Sequence, residues 1–328
     1  MRAWLLDDLT GIGSLRLAEV PDPIPQQGEA ILRIGYASLN PADRYLAERL
    51  YPAKPSLPHV LGRDGVGTVE QLGSGVTALC PGDRRAVLRG EVGVNRPGTF
   101  AERVAVPVDN LIEIPAGWSD PEAAGGVLVG LTAYQALTMW GALPPDSLVL
   151  VTGASGGVGV ATVQLARAMG HKVIALSRSQ DKSRRLLELG AAMTFDPEDP
   201  SWQRSAKTAI APRRVDLAVD NIGGKVLPQV IDLLGDLGKV SVVGRLAGPV
   251  PEFNTATLFF RRIRMGGVAV GAWTSAESRA AWAELVRLMA STNARPLVDS
   301  VVAFADLPKA FERLAQGPMG KVILKVGE

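Results

Sequence analysis

A chain of 328 residues is long enough for two domains, and 47% hydrophobic against 21% charged residues is the balance of an ordinary globular protein. Lys and Arg number 35 against 33 Asp and Glu, a formal charge of +2, so no global field gathers nucleic acid or an anionic membrane. A single Cys excludes an internal disulfide; with no signal-peptide pattern in MRAWLLDDLT and no apolar run near the ~20 residues of a membrane helix, the expected compartment is a reducing cytoplasm.

From Met1 to about residue 120, strand-length runs such as SLRLAEV, EAILRIGYA, GVGTVEQLG, DRRAVLRG and AERVAVPVD are broken by Pro and Gly. That texture predicts a compact, mostly β domain. Cys80, in ALCPGDR, reads as a quiet structural thiol, because neither His59 nor His171 stands in a motif that would activate it. At SDPEAAGGVLVGLTAYQALTMWG the texture changes: Ser119 or Asp120 is placed to cap a helix with Pro121 at its first position.

A regular alternation follows. SLVLVTG is a predicted strand, GGVGVATVQLARAMG a helix ending at Gly170, HKVIALS a strand and DKSRRLLELG a helix closed by Gly190. Next come a short strand AMTFD, a polar helix near Trp202, a strand VDLAVD, a helix KVLPQVIDLLGDLG and a strand KVSVVG. Short apolar strands alternating with helices mean a parallel sheet covered on both faces. The tail adds a strand MGGVAVG, helices in SAESRAAWAELVRLMA and FADLPKAFERLAQG, and a last strand KVILKV. The expected organisation is a first domain over residues 1–120, a nucleotide domain over 121–265, and a return segment over 266–328 that completes the nucleotide sheet's edge and the first domain.

VTGASGGVG carries the clearest chemistry. Gly153, Gly156 and Gly159 fall between a strand and a helix, with Gly157 and Val158 at the helix start. Glycines let the chain turn sharply and bring phosphate against bare N–H groups, where the helix end adds partial positive charge. The reading is a pyrophosphate cradle for a nicotinamide cofactor. Where the next strand ends, ALSRSQDK offers Ser177, Arg178 and Lys182 in place of an acid, which suits the 2′-phosphate of NADPH; Arg184 and Arg185 read as solvated. Thr152 to Gly159 also fits the T-G-x-x-x-G-x-G loop of short-chain dehydrogenases. That family begins its chain with this loop and needs a downstream Tyr-x-x-x-Lys pair, whereas the last Tyr here is Tyr134.

The β-rich first domain, mid-chain nucleotide domain and returning tail resemble the medium-chain dehydrogenase/reductase superfamily. The resemblance implies an α/β chain: a doubly wound Rossmann domain binding NADP beside a mostly β, GroES-like catalytic domain. Members with a four-Cys zinc lobe carry it where this chain has RRAVLRGEVGVNRPG, without Cys. The catalytic-zinc positions match Asn40, Arg63 and Leu128, an amide, a guanidinium and an aliphatic side chain that cannot assemble a zinc site. His59 reads as a structural imidazole. No metal is expected.

SLNPADRYLAERLYPAKPSLPHVLGRDGVG narrows the resemblance to the zinc-independent quinone oxidoreductase (zeta-crystallin-like) branch, with Asn40, Asp43, Tyr45 and Tyr51 at that branch's spacing. LTAYQAL, VTGASGGVG, VDNIGG and GKVILKV agree. Where relatives usually carry Glu, this chain has Asp64, expected to pair with the adjacent Arg63 and reshape the pocket floor. The branch implies hydride transfer from NADPH to a quinone or an α,β-unsaturated carbonyl, acceptors electrophilic enough for hydrogen bonds to replace a metal.

The resemblance implies catalytic roles for Asn40, near the nicotinamide edge, and Tyr51, toward the substrate oxygen. Tyr45 either acts or shapes the pocket, and Asp43 reads as a turn or cap residue. It further implies that Thr132 faces the nicotinamide, that Asn221, Ile222, Val243 and Gly244 border it, and that Lys321 approaches the adenosine phosphate. An enoyl-thioester or acrylyl-CoA reductase, with Arg44, Arg49 and Lys54 at a CoA rim, and a non-catalytic NADPH-binding redox sensor are the other readings. IRMGGVAVGAW is a sheet-edge strand that could pair with its twin in a homodimer.

Overall fold

The computed structural model describes residues 1–88, 91–248 and 254–327. In chain order come β1 (Arg2–Leu6), β2 (Leu15–Glu19), β3 (Glu29–Ser38), α1 (Pro41–Ala47), β4 (His59–Val60), β5 (Asp64–Leu72), β6 (Arg84–Val87), β7 (Arg103–Pro107), β8 (Leu111–Glu113) and α2 (Asp120–Thr138). The alternating part is β9 (Leu148–Val151), α3 (Gly157–Ala168), β10 (Lys172–Leu176), α4 (Gln180–Leu189), β11 (Met193–Phe195), α5 (Trp202–Ile210), β12 (Val215–Asp220), α6 (Val226–Leu233), β13 (Leu234–Val242), α7 (Ala256–Phe260) and β14 (Arg264–Gly267). α8 (Ser275–Ser291), β15 (Val298–Ala303), α9 (Leu307–Ala315) and β16 (Lys321–Lys325) complete it.

Two compact units result. The first takes Met1–Leu128, Trp273–Ala280 and the chain from Arg295 on; the second takes Val129–Ala272 and Ala281–Ala294. The chain thus changes unit four times, the first inside α2 and the third inside α8. Ser119 caps α2: its backbone N–H and hydroxyl both donate to the Glu122 carboxylate, at 2.7 and 2.8 Å.

Among the described residues the first unit holds a three-stranded sheet, β2-β1-β4, and a seven-stranded one, β15-β16-β3-β5-β6-β8 with β7 also on β3. Alternate residues of its strands, Leu32 and Ile34, Val104 and Val106, Val322 and Leu324, turn into one core with Phe100 and Phe311. Strand register decides which strand ends meet. Ser38 at the end of β3 pairs with Asp64 at the start of β5 on one side and with Ile323 of β16 on the other. The strand ends around Asn40, Asp64 and Lys321 are thereby brought together.

The second unit is a parallel sheet in the order β11-β10-β9-β12-β13-β14. All four residues of β9 are buried, as a central strand covered on both faces requires. The order reverses direction between β9 and β12, the switch point where such sheets bind ligands at their carboxyl ends.

Two expected elements differ. The helix read through KVLPQVIDLLGDLG stops at Leu233, because Gly235 and Gly238 are poor helix formers and Leu234 already pairs with Val215 of β12. The strand read over MGGVAVG stops at Gly267, opposite Val242, the last residue of its partner β13; Val270–Ala272 forms a 3₁₀ turn instead.

Candidate active site

In the second unit the glycine loop joins the end of β9 to α3. Gly153 has φ +57° and lies under Ile222, whose Cδ1 would be 2.7 Å from an added Cβ. Gly159 packs against the turn so closely that a Cβ would stand 2.3 Å from Gly153 O and 2.6 Å from Ala154 Cα. Gly156 is the N-cap of α3 and makes no side-chain cap, so the first N–H groups, those of Gly157, Val158 and Gly159, have no intrahelical partner. Bare donors at a helix N-terminus fit a phosphate.

The loop is braced from β12. The Thr152 hydroxyl donates to Asp220 Oδ1 at 2.6 Å and accepts from Asn221 N–H at 2.9 Å, while Asn221 Nδ2 donates to Thr152 O at 2.8 Å. Asp220 is wholly buried and also takes the N–H groups of Ile222 and Gly223, turning the chain after β12. Asn221 Oδ1 is buried without a donor. Such an orphaned acceptor at the switch point of the sheet fits a ligand that brings an N–H. Val243 and Gly244 follow β13, their N–H groups 2.8 and 3.3 Å from Asp220 O. Thr132 is half-buried on α2.

At the end of β10, Ser177 is buried beneath the first turn of α4, which Ser179 caps through Lys182 N–H. Arg178 is exposed and its Nη1 stands 3.2 Å from Glu198. Lys182 is half-buried in the same turn. Arg184 and Arg185 pair with Asp181 and Glu188 on the outer face of α4, the solvated role expected of them.

In the first unit the expected residues gather around α1. Asn40 precedes it, Pro41 occupies its first position, and Asp43 Oδ2 accepts the Asn40 N–H at 2.8 Å, the capping role read for Asp43. Tyr45 lies half-buried on the helix. Tyr51 packs partly against the core, and Arg63 Cζ lies 4.2 Å from its ring centroid.

Two expectations are corrected by this geometry. Arg63 does not pair with Asp64; its Nε stands 3.5 Å from Asp43 Oδ1. Neighbouring residues entering a strand point to opposite faces, so adjacency in sequence works against their contact. Asp64 instead accepts from Asn40 Nδ2 at 2.9 Å and from Leu128 N–H at 3.2 Å, and lies 3.8 Å from Lys321 Nζ. Lys321 does not reach for an adenosine phosphate: its ammonium is buried and donates to Asn40 Oδ1 at 2.6 Å and Leu39 O at 2.8 Å. Burial pushes the Asp64 carboxyl above its ordinary range against the pull of Lys321, and pushes Lys321 below its own against the pull of Asp64. Burial likewise raises Asp43 to about 6, opposed chiefly by Arg63.

Of the zinc positions read from the sequence, Asn40 gives its amide and Leu128 its backbone N–H to Asp64, with Lys321 Nζ 3.8 Å away, while the Arg63 guanidinium faces Asp43. This donor set does not fit a zinc ion. Among the described residues no group of three His, Cys, Asp or Glu could hold a metal. Arg89 and Gly90, within the segment matched to a four-Cys lobe, lie outside the described residues. His59 is buried, with desolvation lowering its pKa. Cys80 is exposed.

Comparison with known proteins agrees in both units. Residues 26–116 match the family described as alcohol dehydrogenase GroES-like domain, and residues 157–291 the one described as zinc-binding dehydrogenase. A quinone oxidoreductase from Lama guanicoe is 29% identical over 99% of this chain and 97% of its own. The human synaptic vesicle membrane protein VAT-1 homolog is 30% identical over 100% of this chain and 87% of its own. Among solved structures, an NAD-dependent alcohol dehydrogenase superposes with a TM-score of 0.92 at 29% identity, covering 100% of both chains. A mycobacterial protein complexed with NADPH gives 0.89 at 26% identity, covering 99% of this chain and 100% of its own. No helix among the described residues is long and apolar enough to cross a membrane.

Proposed function

Because this chain belongs to the quinone oxidoreductase branch of the zinc-independent medium-chain dehydrogenase/reductases, we propose that it reduces a quinone or an α,β-unsaturated carbonyl with NADPH and without a metal. The observation that carries the reading is the cluster around Asp64, where the carboxamide of Asn40, at a position matched to a zinc ligand, is tied to that carboxylate and to a buried ammonium.

Bound NADPH supplies the hydride. The chain's own work is to hold and orient. The N–H groups opening α3 take the pyrophosphate, with Gly153 and Gly156 in the turn that presents them. Ser177, Arg178 and Lys182 receive the 2′-phosphate. Thr132, Asn221, Ile222, Val243 and Gly244 border the nicotinamide, with Asn221 Oδ1 as an acceptor for its amide.

On the acceptor side, Tyr51 donates to the oxygen that gains charge, Tyr45 lines the pocket, and Asn40 offers an amide hydrogen near the nicotinamide edge. A quinone or enone is electrophilic already, so fixed donors stabilise the developing oxyanion. Water can supply the final proton. The same reading makes the protein a cytoplasmic homodimer joined through β14, at the end of its sheet. Sedimentation at micromolar concentration tests the dimer.

The testing experiment for the reaction compares Tyr51→Phe and Asn40→Ala with wild type in NADPH-dependent reduction of a quinone. The expected loss in kcat/KM is about tenfold or more for each, as for a removed oxyanion donor. Activity within about threefold of wild type for both would contradict the site.

A further inference from the structure

Two buried charges in the first unit, Asp64 and Lys321, have no part in the proposed reaction, and the Asn40 carboxamide lies between them. Lys321 Nζ donates to Asn40 Oδ1 at 2.6 Å, and Asn40 Nδ2 donates to Asp64 Oδ2 at 2.9 Å. The two ends of an amide differ in polarity: the oxygen only accepts and the nitrogen only donates. A cation on one side and a carboxylate on the other therefore permit one of its two flip states. The reverse state would set N–H against ammonium and oxygen against carboxylate, unmaking both bonds in a buried site.

The clamp is itself held. Lys321 Nζ also donates to Leu39 O at 2.8 Å, and Asp64 Oδ1 takes the Leu128 N–H at 3.2 Å. Both charged side chains are at least nine-tenths buried, at 4% and 1% exposure. One donor is left over. The second hydrogen of Asn40 Nδ2 has only Ser38 O, at 3.5 Å, a contact too long to hold it firmly.

We propose that Lys321 and Asp64 are positioning residues that lock the Asn40 carboxamide in one orientation, so that its second N–H is the donor offered to the reacting groups. The proposal rests on the reductase reading for its use of that donor, and on the hydrogen bonds alone for the lock. It also accounts for the shortened acid. With Asp at position 64 the carboxylate reaches the Asn40 amide while its second oxygen is anchored on α2.

The test uses Lys321→Met and the double variant Lys321→Met/Asp64→Asn, which leaves no unpaired charge in the core if the single variant fails to fold. Two readouts are taken: steady-state kinetics with NADPH and a quinone, and the side-chain amide signals of Asn40 in ¹⁵N-labelled protein. Both variants are expected to lose about ten- to a hundredfold in kcat, the scale of a misplaced group, with NADPH KM within about twofold. The Asn40 amide protons, slow to exchange in wild type, should exchange fast in both.

A rise in NADPH KM at constant kcat would make Lys321 a phosphate contact and overturn the proposal. Wild-type kcat in the double variant would overturn it too, since the charges would then only neutralise each other. So would unchanged Asn40 signals. If wild type reduces no acceptor, the reductase reading falls by itself, and the Asn40 exchange rates still decide the lock.

Discussion

The Arg63 guanidinium lies over the Tyr51 ring, with Cζ 4.2 Å from the ring centroid. The same side chain stands 3.5 Å from the wholly buried Asp43 carboxylate. One cation thus serves a proposed catalytic tyrosine and a helix-capping acid. Replacing it by Met leaves Asp43 without its counter-charge, which costs about 3–5 kcal/mol for a buried pair. Urea unfolding of Arg63→Met should show that loss at about pH 7.5. Adding Asp43→Asn should restore much of the stability but not the turnover, because the platform under Tyr51 stays missing. Full activity in the double variant would separate Tyr51 from Arg63.

Asp43 also gives a pH signature. Desolvation holds its carboxyl at about 6 against the attraction of Arg63, from an ordinary value of 3.8. Between those values the folded protein keeps a proton that the unfolded chain has lost. The stabilisation from this group is therefore full below pH 3.8 and is lost as pH rises through about 6. Lys321 and Asp64 act on Asp43 as well, so the comparison is made within one background. From about pH 4.5 to about pH 7.5 the Tm of wild type should fall relative to that of Asp43→Asn. A constant difference would mean that Asp43 ionises at its ordinary value.

The glycine loop and the sheet around it were legible because each part is local: a strand, a turn and a helix follow one another within a few residues of Val151. Asp43 as a cap was legible for the same reason. The clamp on Asn40 was not. Lys321 comes 281 positions after it, and only the side-by-side register of β3, β5 and β16 joins them. A motif placed Lys321 at a phosphate because sequence resemblance names positions without saying which way a side chain turns. The Arg63–Asp64 pair failed on strand geometry, which a period of two could have signalled. Asn221 Oδ1 as an orphaned acceptor carries no sequence signature at all.

Within the loop the glycines should not be equivalent. A Cβ on Gly159 would meet Gly153 O at 2.3 Å, whereas one on Gly156 would meet it at 3.5 Å, an ordinary contact. Gly159→Ala must push α3 off the turn, so NADPH affinity should drop about tenfold or more, with a loss of about 1–3 kcal/mol from overpacking. Gly156→Ala should stay within about threefold of wild-type affinity. Equal effects, read by nucleotide fluorescence titration, would contradict this packing.

Arg178 and Glu198, 3.2 Å apart at the end of β10, should set cofactor preference in opposite directions. Arg178→Ala is expected to raise KM for NADPH several-fold and leave NADH nearly unchanged, since only NADPH carries the 2′-phosphate. Glu198→Gln removes the competing carboxylate and should tighten NADPH. Parallel changes for the two cofactors would remove Arg178 from the phosphate site.

The most direct measurement is the loss of nicotinamide absorbance with chelator-treated protein, NADPH or NADH in turn, and a panel of 9,10-phenanthrenequinone, 1,4-benzoquinone, an alkenal and acrylyl-CoA. The account predicts metal-independent turnover of a quinone or the alkenal, faster with NADPH than with NADH. Tight NADPH binding without turnover of any acceptor, or turnover that returns only when zinc is added, would contradict it.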